Sequence, residues 1–436
     1  MTIVGRLRRP GTLRPVLVTA GIFGWLTFAA LAARAYGDPP HGSGFDLELL
    51  IQGGRHVAAG VTPYDPTMLA GRSVEIASLF YSYPPIVAQA LSPITFLPSP
   101  VIFAAVVVLA SLAAVLVGRA VAVVAIFGAD PTDPGAADLG RFVGLALAAL
   151  LPFWFPYTVG MLFGNIDMFF PALYGLVLLA VIQPSGTARS ERWVVAAGLA
   201  LALASITKLH PAVLGLWLLA RGLVERRRGA DLRLVGPWRL PRSWRIAAVS
   251  IVAVALALAF SFAVGGIQPW LDYVTVLRAG AQVNLLDPRN IGPAVQIVML
   301  FGLGPSAVGP IQVVVMVSAL AITIVAALAV EDPLESLTWA ATASFVVLPV
   351  TWFHHFAALV PFGIAALARG SRQGAESIRR LWILVIAAFA VVMIGFAQPP
   401  TWLLVPIFLA AARIIRPGRP AALRDPGAPL ETRAPA

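Results

Sequence analysis

The chain has 436 residues and no cysteine; 59% of it is hydrophobic, only 12% is charged, and the formal net charge is +11. Mean hydropathy is +0.86, whereas a soluble domain is about 45–50% apolar and about 25% charged. This balance excludes a soluble globular enzyme, a disordered chain and a disulfide scaffold. The lack of cysteine also excludes thiolate catalysis, iron–sulfur clusters and Cys-ligated zinc.

What remains is an all-α polytopic membrane protein, each crossing needing about 20 apolar residues. The surplus cation reads as the positive-inside bias of membrane loops rather than as a nucleic-acid surface. Lys208 is the single lysine beside 30 arginines.

From the N-terminus, residues 1–15 carry Arg6, Arg8, Arg9 and Arg14 and are expected to form a cytoplasmic tail. The apolar run 16–37 is too long for a signal-peptide core and is expected to stay as the first membrane helix. A polar stretch, 38–83, is expected to be the first extracytoplasmic loop, with amphipathic pieces at 47–59 and 67–80 lying in the interface. The segment 84–97 is broken by Pro93 and is expected to be re-entrant. Further apolar segments fall near 101–127, 139–157, 166–183, 192–207, 209–222, 244–265, 306–329, 336–350, 355–369, 379–396 and 400–415.

With the first helix this makes about 12 transmembrane helices with both ends inside, the membrane domain covering 16–416. The inner loops and tails then hold 25 arginines and the outer side five, a bias that supports this orientation. An alternative lets 84–97 cross and makes 192–222 one kinked helix. That choice inverts the loops between and sends Asn165 and Asp167 to the opposite side. The tail 417–436, rich in Pro, Arg and Ala, is expected to be disordered. No 20–50-residue repeat is visible.

Ionisable groups at membrane depth are costly and mark cavities. All five histidines (His41, His56, His210, His354, His355) fall on the proposed outer side. So do Asp46, Glu48, Asn165, Asp167, Asp272, Asp287, Lys208 and Arg289. Residue by residue, a solvated loop is the simpler reading, except where a polar group interrupts an apolar run.

Lys208 does so, in Ser205-Ile206-Thr207-Lys208-Leu209-His210-Pro211. Pro211 favours a helix break there, and a cation in such a notch suits phosphate; a snorkelling lysine is the plainer reading. His354-His355 follow Pro349-Val350-Thr351-Trp352-Phe353; adjacent histidines cannot share one helical face. Asp46, after Gly42-Ser43-Gly44-Phe45, suits either a helix cap or a general base. Asn165, in Gly164-Asn165-Ile166-Asp167, is equally consistent with a cap. The loop 266–293, with Trp270, Tyr273, Gln282, Asn284, Arg289 and Asn290, suits carbohydrate and phosphate or an ordinary interfacial loop. There is no P-loop, dinucleotide fingerprint or nucleophile elbow, so ATP- or NAD-driven chemistry is not expected.

In order along the chain come Phe45-Asp46, Gly60-Val61-Thr62-Pro63-Tyr64, Tyr81-Ser82-Tyr83-Pro84-Pro85, Gly164-Asn165-Ile166-Asp167, Lys208-Leu209-His210-Pro211 and Phe353-His354-His355. This succession resembles glycosyltransferase family 87, the polyprenyl-phosphate-mannose-dependent mannosyltransferases of actinobacteria. An Ala-, Gly-, Pro- and Arg-rich composition with one lysine fits a GC-rich genome of that kind.

The resemblance implies a GT-C membrane bundle with its site at the extracytoplasmic face, and inverting transfer from a polyprenyl-phosphate sugar to a glycolipid or lipoglycan acceptor. It implies Asp46 as catalytic base. The substrate-binding candidates are Glu48, Arg55, Tyr64, Tyr83, Asn165, Asp167, Lys208, His210, Arg289, Asn290, His354 and His355. No cofactor, metal or nucleic acid is expected; the partners are donor, acceptor and the lipid bilayer of the cell membrane. Gly164-Asn165 departs from the Gly-Gln form associated with the family. An arabinofuranose donor and a non-catalytic lipid or sugar transporter are the competing expectations.

Overall fold

The computed structural model describes residues 13–36, 42–72, 80–128, 133–184, 188–229, 232–235, 238–285, 287, 289–394 and 398–414. The basic start, His41 and the tail 417–436 lie outside the described residues. Helix α1 spans Leu13–Ala35. The first loop carries α2 (Phe45–Ala58) and the short α3 (Pro66–Leu69), and α4 covers Pro85–Leu91. Next come α5 (Ser99–Phe127), α6 (Pro134–Leu150), α7 (Phe155–Phe163), α8 (Phe170–Ile182), α9 (Ala188–Thr207) and α10 (Ala212–Arg227). A hairpin of β1 (Arg233–Val235) and β2 (Trp238–Leu240) leads into α11 (Arg242–Gly265). The chain continues through α12 (Gln268–Leu285), α13 (Pro293–Leu300), α14 (Val308–Ala329) and α15 (Pro333–Val346). It closes with α16 (Val360–Gly370), α17 (Ala375–Ile394) and α18 (Leu404–Ile414).

Among the described residues seven helices are long and apolar enough to cross a membrane: 13–35, 99–127, 135–153, 190–207, 242–265, 305–329 and 375–394. The other five expected crossings are shorter helices, 166–182, α10, α15, 353–370 and 399–414. A 16-residue helix rises about 24 Å, less than the roughly 30 Å hydrocarbon core. Several of these short helices start or stop beside polar residues: 166–182 at Asp167, α10 just after His210, and α16 just after the histidine pair. Broken backbone at membrane depth is tolerated where protein or a cavity supplies its partners.

Three expectations change in detail. The segment 139–157 breaks at Trp154, between Pro152 and Pro156, so α6 with its terminal turn and α7 are separate. Within 67–80 only the first residues are helical, capped by Asp65, whose carboxylate accepts from the Thr67 N–H at 2.7 Å; residues 73–79 lie outside the described residues. The stretch 266–293 is mostly α12, because Gly266 and Pro293 punctuate only its ends.

Helix association in lipid relies on close packing, since the tails are as apolar as the side chains. Helix α9 packs on α8 and α11. At Gly198 a Cβ would lie 2.5 Å from the Val249 Cβ, so only hydrogen fits. The centre of the bundle is aromatic, with Phe170, Tyr174, Trp217, Phe345, Phe356 and Phe362 buried.

Several arginines counted above for orientation also hold the ends of helices together. Arg242 donates to the carbonyls of Ala180 (2.9 Å) and Gln183 at the end of α8. Arg221 donates to those of Val330 and Glu331, both at 2.7 Å, after α14. Arg372 donates to Ile126 near the end of α5. Each supplies donors to carbonyls that a helix leaves without an internal partner.

Candidate active site

Two glycines bring the start of α2 against the end of α7. Gly44 has φ +80°, its N–H donates to the Leu162 carbonyl at 2.7 Å, and a Cβ there would strike the Tyr36 ring at 2.8 Å. Gly164 ends α7 with φ +67°, and a Cβ there would lie 2.7 Å from the Leu47 Cβ. Only glycine takes that conformation at so close an approach. The residues that follow each glycine therefore meet: Asn165 Nδ2 donates to Asp46 Oδ2 at 2.7 Å.

This contact decides between the two topologies. Asp46 and Asn165 share one end of the bundle, so the alternative that separates them is excluded. The ten-residue helix 85–94 is also too short to cross.

Asn165 is a junction. Its Oδ1 accepts from the Asp167 N–H at 3.0 Å, capping the following turn, and from Lys208 Nζ at 3.3 Å. Lys208 lies just past α9 and pairs with Asp167 Oδ1 at 2.8 Å. Its ammonium also sits 5.9 Å from the centre of the Tyr83 ring. The other Asp167 oxygen, Oδ2, lies 3.1 Å from His355 Nε2 and 3.3 Å from His354 Nε2. Asp167 is 1% exposed, a depth at which a carboxylate needs such partners.

The two histidines differ. The Trp352 N–H donates into His355 Nδ1 at 3.1 Å, so a neutral ring carries its proton on Nε2, the nitrogen that faces Asp167. His354 Nε2 is buried and makes no hydrogen bond among the described residues. Asp167, His354 and His355 place ligand-type atoms within 4.8 Å of one another. Yet the protonated His355 Nε2 has no lone pair for an ion, and the Lys208 ammonium already faces the same carboxylate. The two imidazoles and the Lys208 ammonium form a clamp around Asp167 at ion-pair distances.

Asp46 is partly exposed, at the mouth of this cluster. Surrounding protein pushes its pKa up to about 6; the Asn165 hydrogen bond and Lys208 pull it down, and Asp167 raises it. A carboxylate that titrates near neutrality suits proton abstraction. The Tyr83 hydroxyl is in reach of Asn165, and burial followed by the charges of Asp46 and Asp167 raises its pKa well above the ordinary value.

The remaining candidates fall elsewhere. Tyr64 is buried, stacked on Tyr273, and its hydroxyl donates to the Tyr83 carbonyl at 3.1 Å, so it supports Tyr83 from behind. His210 lies between Phe170, Phe345 and His355, behind the clamp. Glu48 pairs with Arg55 at 3.1 Å on the exposed side of α2. Arg289 pairs with Asp287 at 2.7 Å. Asn290 is wholly buried, its amide engaged with backbone at Gly292, Pro349 and Thr351. The contacts these residues make within the protein are support contacts or separate ion pairs. Sequence reasoning missed the Trp352 amide that sets the His355 tautomer, since backbone contacts carry no residue signature.

The model of glycosyltransferase family 87 matches residues 81–353. The chain belongs to glycosyltransferase family 87. That span holds Tyr83, Asn165, Asp167 and Lys208; Asp46 lies well before its start and the histidine pair directly after its end, and both join the site through the contacts above. No curated protein matches the chain. Family 87 membership and the apolar helices together make this a membrane-embedded glycosyltransferase, acting on a sugar donor and an acceptor within the bilayer.

Proposed function

We propose that this family 87 enzyme transfers mannose from polyprenyl-phosphate-mannose to a glycolipid or lipoglycan acceptor at the extracytoplasmic face of the cell membrane, with inversion and with Asp46 as general base. The observation that carries the reading is the junction at Asn165. One oxygen of Asp46 is held there at 2.7 Å, and the only lysine of the chain lies on the same amide.

In the reaction, Asp46 takes the proton of the acceptor hydroxyl as its oxygen attacks the anomeric carbon. The bond from that carbon to the phosphate oxygen breaks, and the phosphate leaves with the electron pair. Lys208 has three N–H donors; two face Asp167 and Asn165, and the third is free for phosphate. The unengaged His354 Nε2 offers a second contact to phosphate or sugar. A phosphate leaving group needs no acid to protonate it, so one carboxylate and preorganised cationic donors suffice.

Mannose over arabinofuranose is supported by the ordered motifs, and the outer location by the arginine bias. Family membership weighs against a transporter. The test is incubation of purified protein with polyprenyl-phosphate-mannose and a mannosylated lipid acceptor, followed by mass spectrometry of the lipids. A mannosylated product supports the reading; product from polyprenyl-phosphate-arabinose alone overturns the choice of sugar.

A further inference from the structure

We infer that Asn290 is a positioning residue, which sets the tautomer of His355 by holding Thr351, whose carbonyl shares a peptide with the Trp352 N–H. The role of the clamp in transfer rests on the function proposed above; the grip itself does not.

The segment 290–292 holds Thr351 from both sides, Asn290 at the peptide before it and Ile291 at the peptide after it. Asn290 Oδ1 accepts from the Thr351 N–H at 2.9 Å and from the Gly292 N–H at 2.8 Å, and Asn290 Nδ2 donates to the Pro349 carbonyl at 3.2 Å. The Ile291 N–H donates to the Thr351 carbonyl at 3.0 Å. That carbonyl belongs to the same planar unit as the Trp352 N–H. Because the peptide is planar and trans, fixing its oxygen fixes the direction of its N–H, which enters His355 Nδ1 at 3.1 Å.

The grip is backed from outside. Trp402 Nε1 donates to the Ile291 carbonyl at 2.6 Å, and Gln296 Nε2 to the Asn290 carbonyl at 2.7 Å. Gly292 is required for the approach, since a Cβ there would lie 2.9 Å from the Pro349 carbonyl oxygen. The consequence runs inward. With Nδ1 occupied as an acceptor, His355 presents Nε2–H to Asp167 Oδ2 at 3.1 Å, leaving the other Asp167 oxygen for Lys208.

The experiment is 15N spectroscopy of histidine-labelled full-length protein in detergent, with His355→Gln assigning the resonance. The unsubstituted enzyme is expected to show His355 as the pure Nε2–H tautomer. Asn290→Ala is expected to move its two ring nitrogens toward the mixed-tautomer average and to lower kcat about tenfold, with KM for the donor changed less than threefold. Asn290→Asp keeps both acceptor contacts and is expected to restore the tautomer.

If Asn290→Ala fails to fold, Trp402→Phe decides: it frees the Ile291 carbonyl and is expected to shift His355 in the same direction by a smaller amount. A folded Asn290→Ala protein with an unchanged His355 spectrum overturns the inference. So does an unchanged spectrum in Trp402→Phe when Asn290→Ala does not fold. Because the spectrum needs no substrate, failure of the grip is distinguishable from failure of the proposed transfer reaction.

Discussion

Asn165 and Asp46 are 119 residues apart in sequence, yet the amide of one donates to the carboxylate of the other at 2.7 Å. The bond holds one oxygen of Asp46 and leaves the second to receive a proton. Asn165→Ala is expected to lower kcat at least tenfold. It also removes a hydrogen bond that favours the charged carboxylate, so the acidic limb of kcat/KM is expected to move to higher pH. A pH–rate series on the variant checks both.

The pKa of Asp46 near 6 has two opposite consequences. With Asp46 as the proposed base, kcat/KM is expected to rise with pH through about 6 and then level off. Stability runs the other way. The folded protein holds the Asp46 proton up to about pH 6, whereas the unfolded chain releases it near 3.9. The contribution is fully present below about pH 4 and is lost as pH rises through about 6. Melting curves between those limits should flatten in Asp46→Asn.

The Lys208–Asp167 pair separates folding from function. Lys208→Met removes the cation and leaves Asp167 uncompensated, a loss expected to cost about 3–5 kcal/mol. Adding Asp167→Leu removes the orphaned charge, so the double variant is expected to recover most of the stability but none of the transfer activity. Thermal melts in detergent beside a transfer assay check this. Recovery of activity in the double variant would mean that neither residue serves the reaction.

Much of this was legible in the sequence, for reasons that can be named. Long apolar runs such as 99–127 and 242–265 declare themselves, because lipid accepts nothing else. Lys208 stood out because it interrupts an apolar run; the role expected of Asp46 came from the resemblance, since its own context suits a cap equally well. The short helices were harder. Runs such as 336–350 read as full-length crossings, whereas α15 is 14 residues long. Helix α12 escaped notice because its polar face resembles a loop. Asn290 was visible as a polar residue but not as a latch, since its partners are backbone atoms some sixty residues away. The caps of Arg242, Arg221 and Arg372 were hidden inside a charge pattern that topology alone already accounted for.

Those caps carry their own expectation. Arg242→Ala strands carbonyls at the end of α8, and a lost hydrogen bond of a charged donor is worth about 1.5–3 kcal/mol. The melting temperature should fall, while the pH–rate profile of the folded fraction keeps its limb near 6. Displacement of that limb would tie the C-terminal end of α8 to the site.

The absence of cysteine makes sidedness measurable with single introduced thiols. Val61 is 54% exposed beyond α2, and Arg227 is exposed at the end of α10. In intact cells, Val61→Cys is expected to react with a membrane-impermeant maleimide and Arg227→Cys only after lysis. The reverse pattern would turn the site to the cytoplasm.

The most direct measurement is mannosyl transfer by purified Asp46→Asn, compared with the unsubstituted enzyme at pH 7 and with equal amounts of folded protein. Asparagine keeps the shape of the carboxylate but cannot accept the proton, so a loss of at least a hundredfold in kcat is expected, with donor affinity nearly retained. Transfer at the unsubstituted rate would contradict the account, because the proton would then be leaving the acceptor by another route.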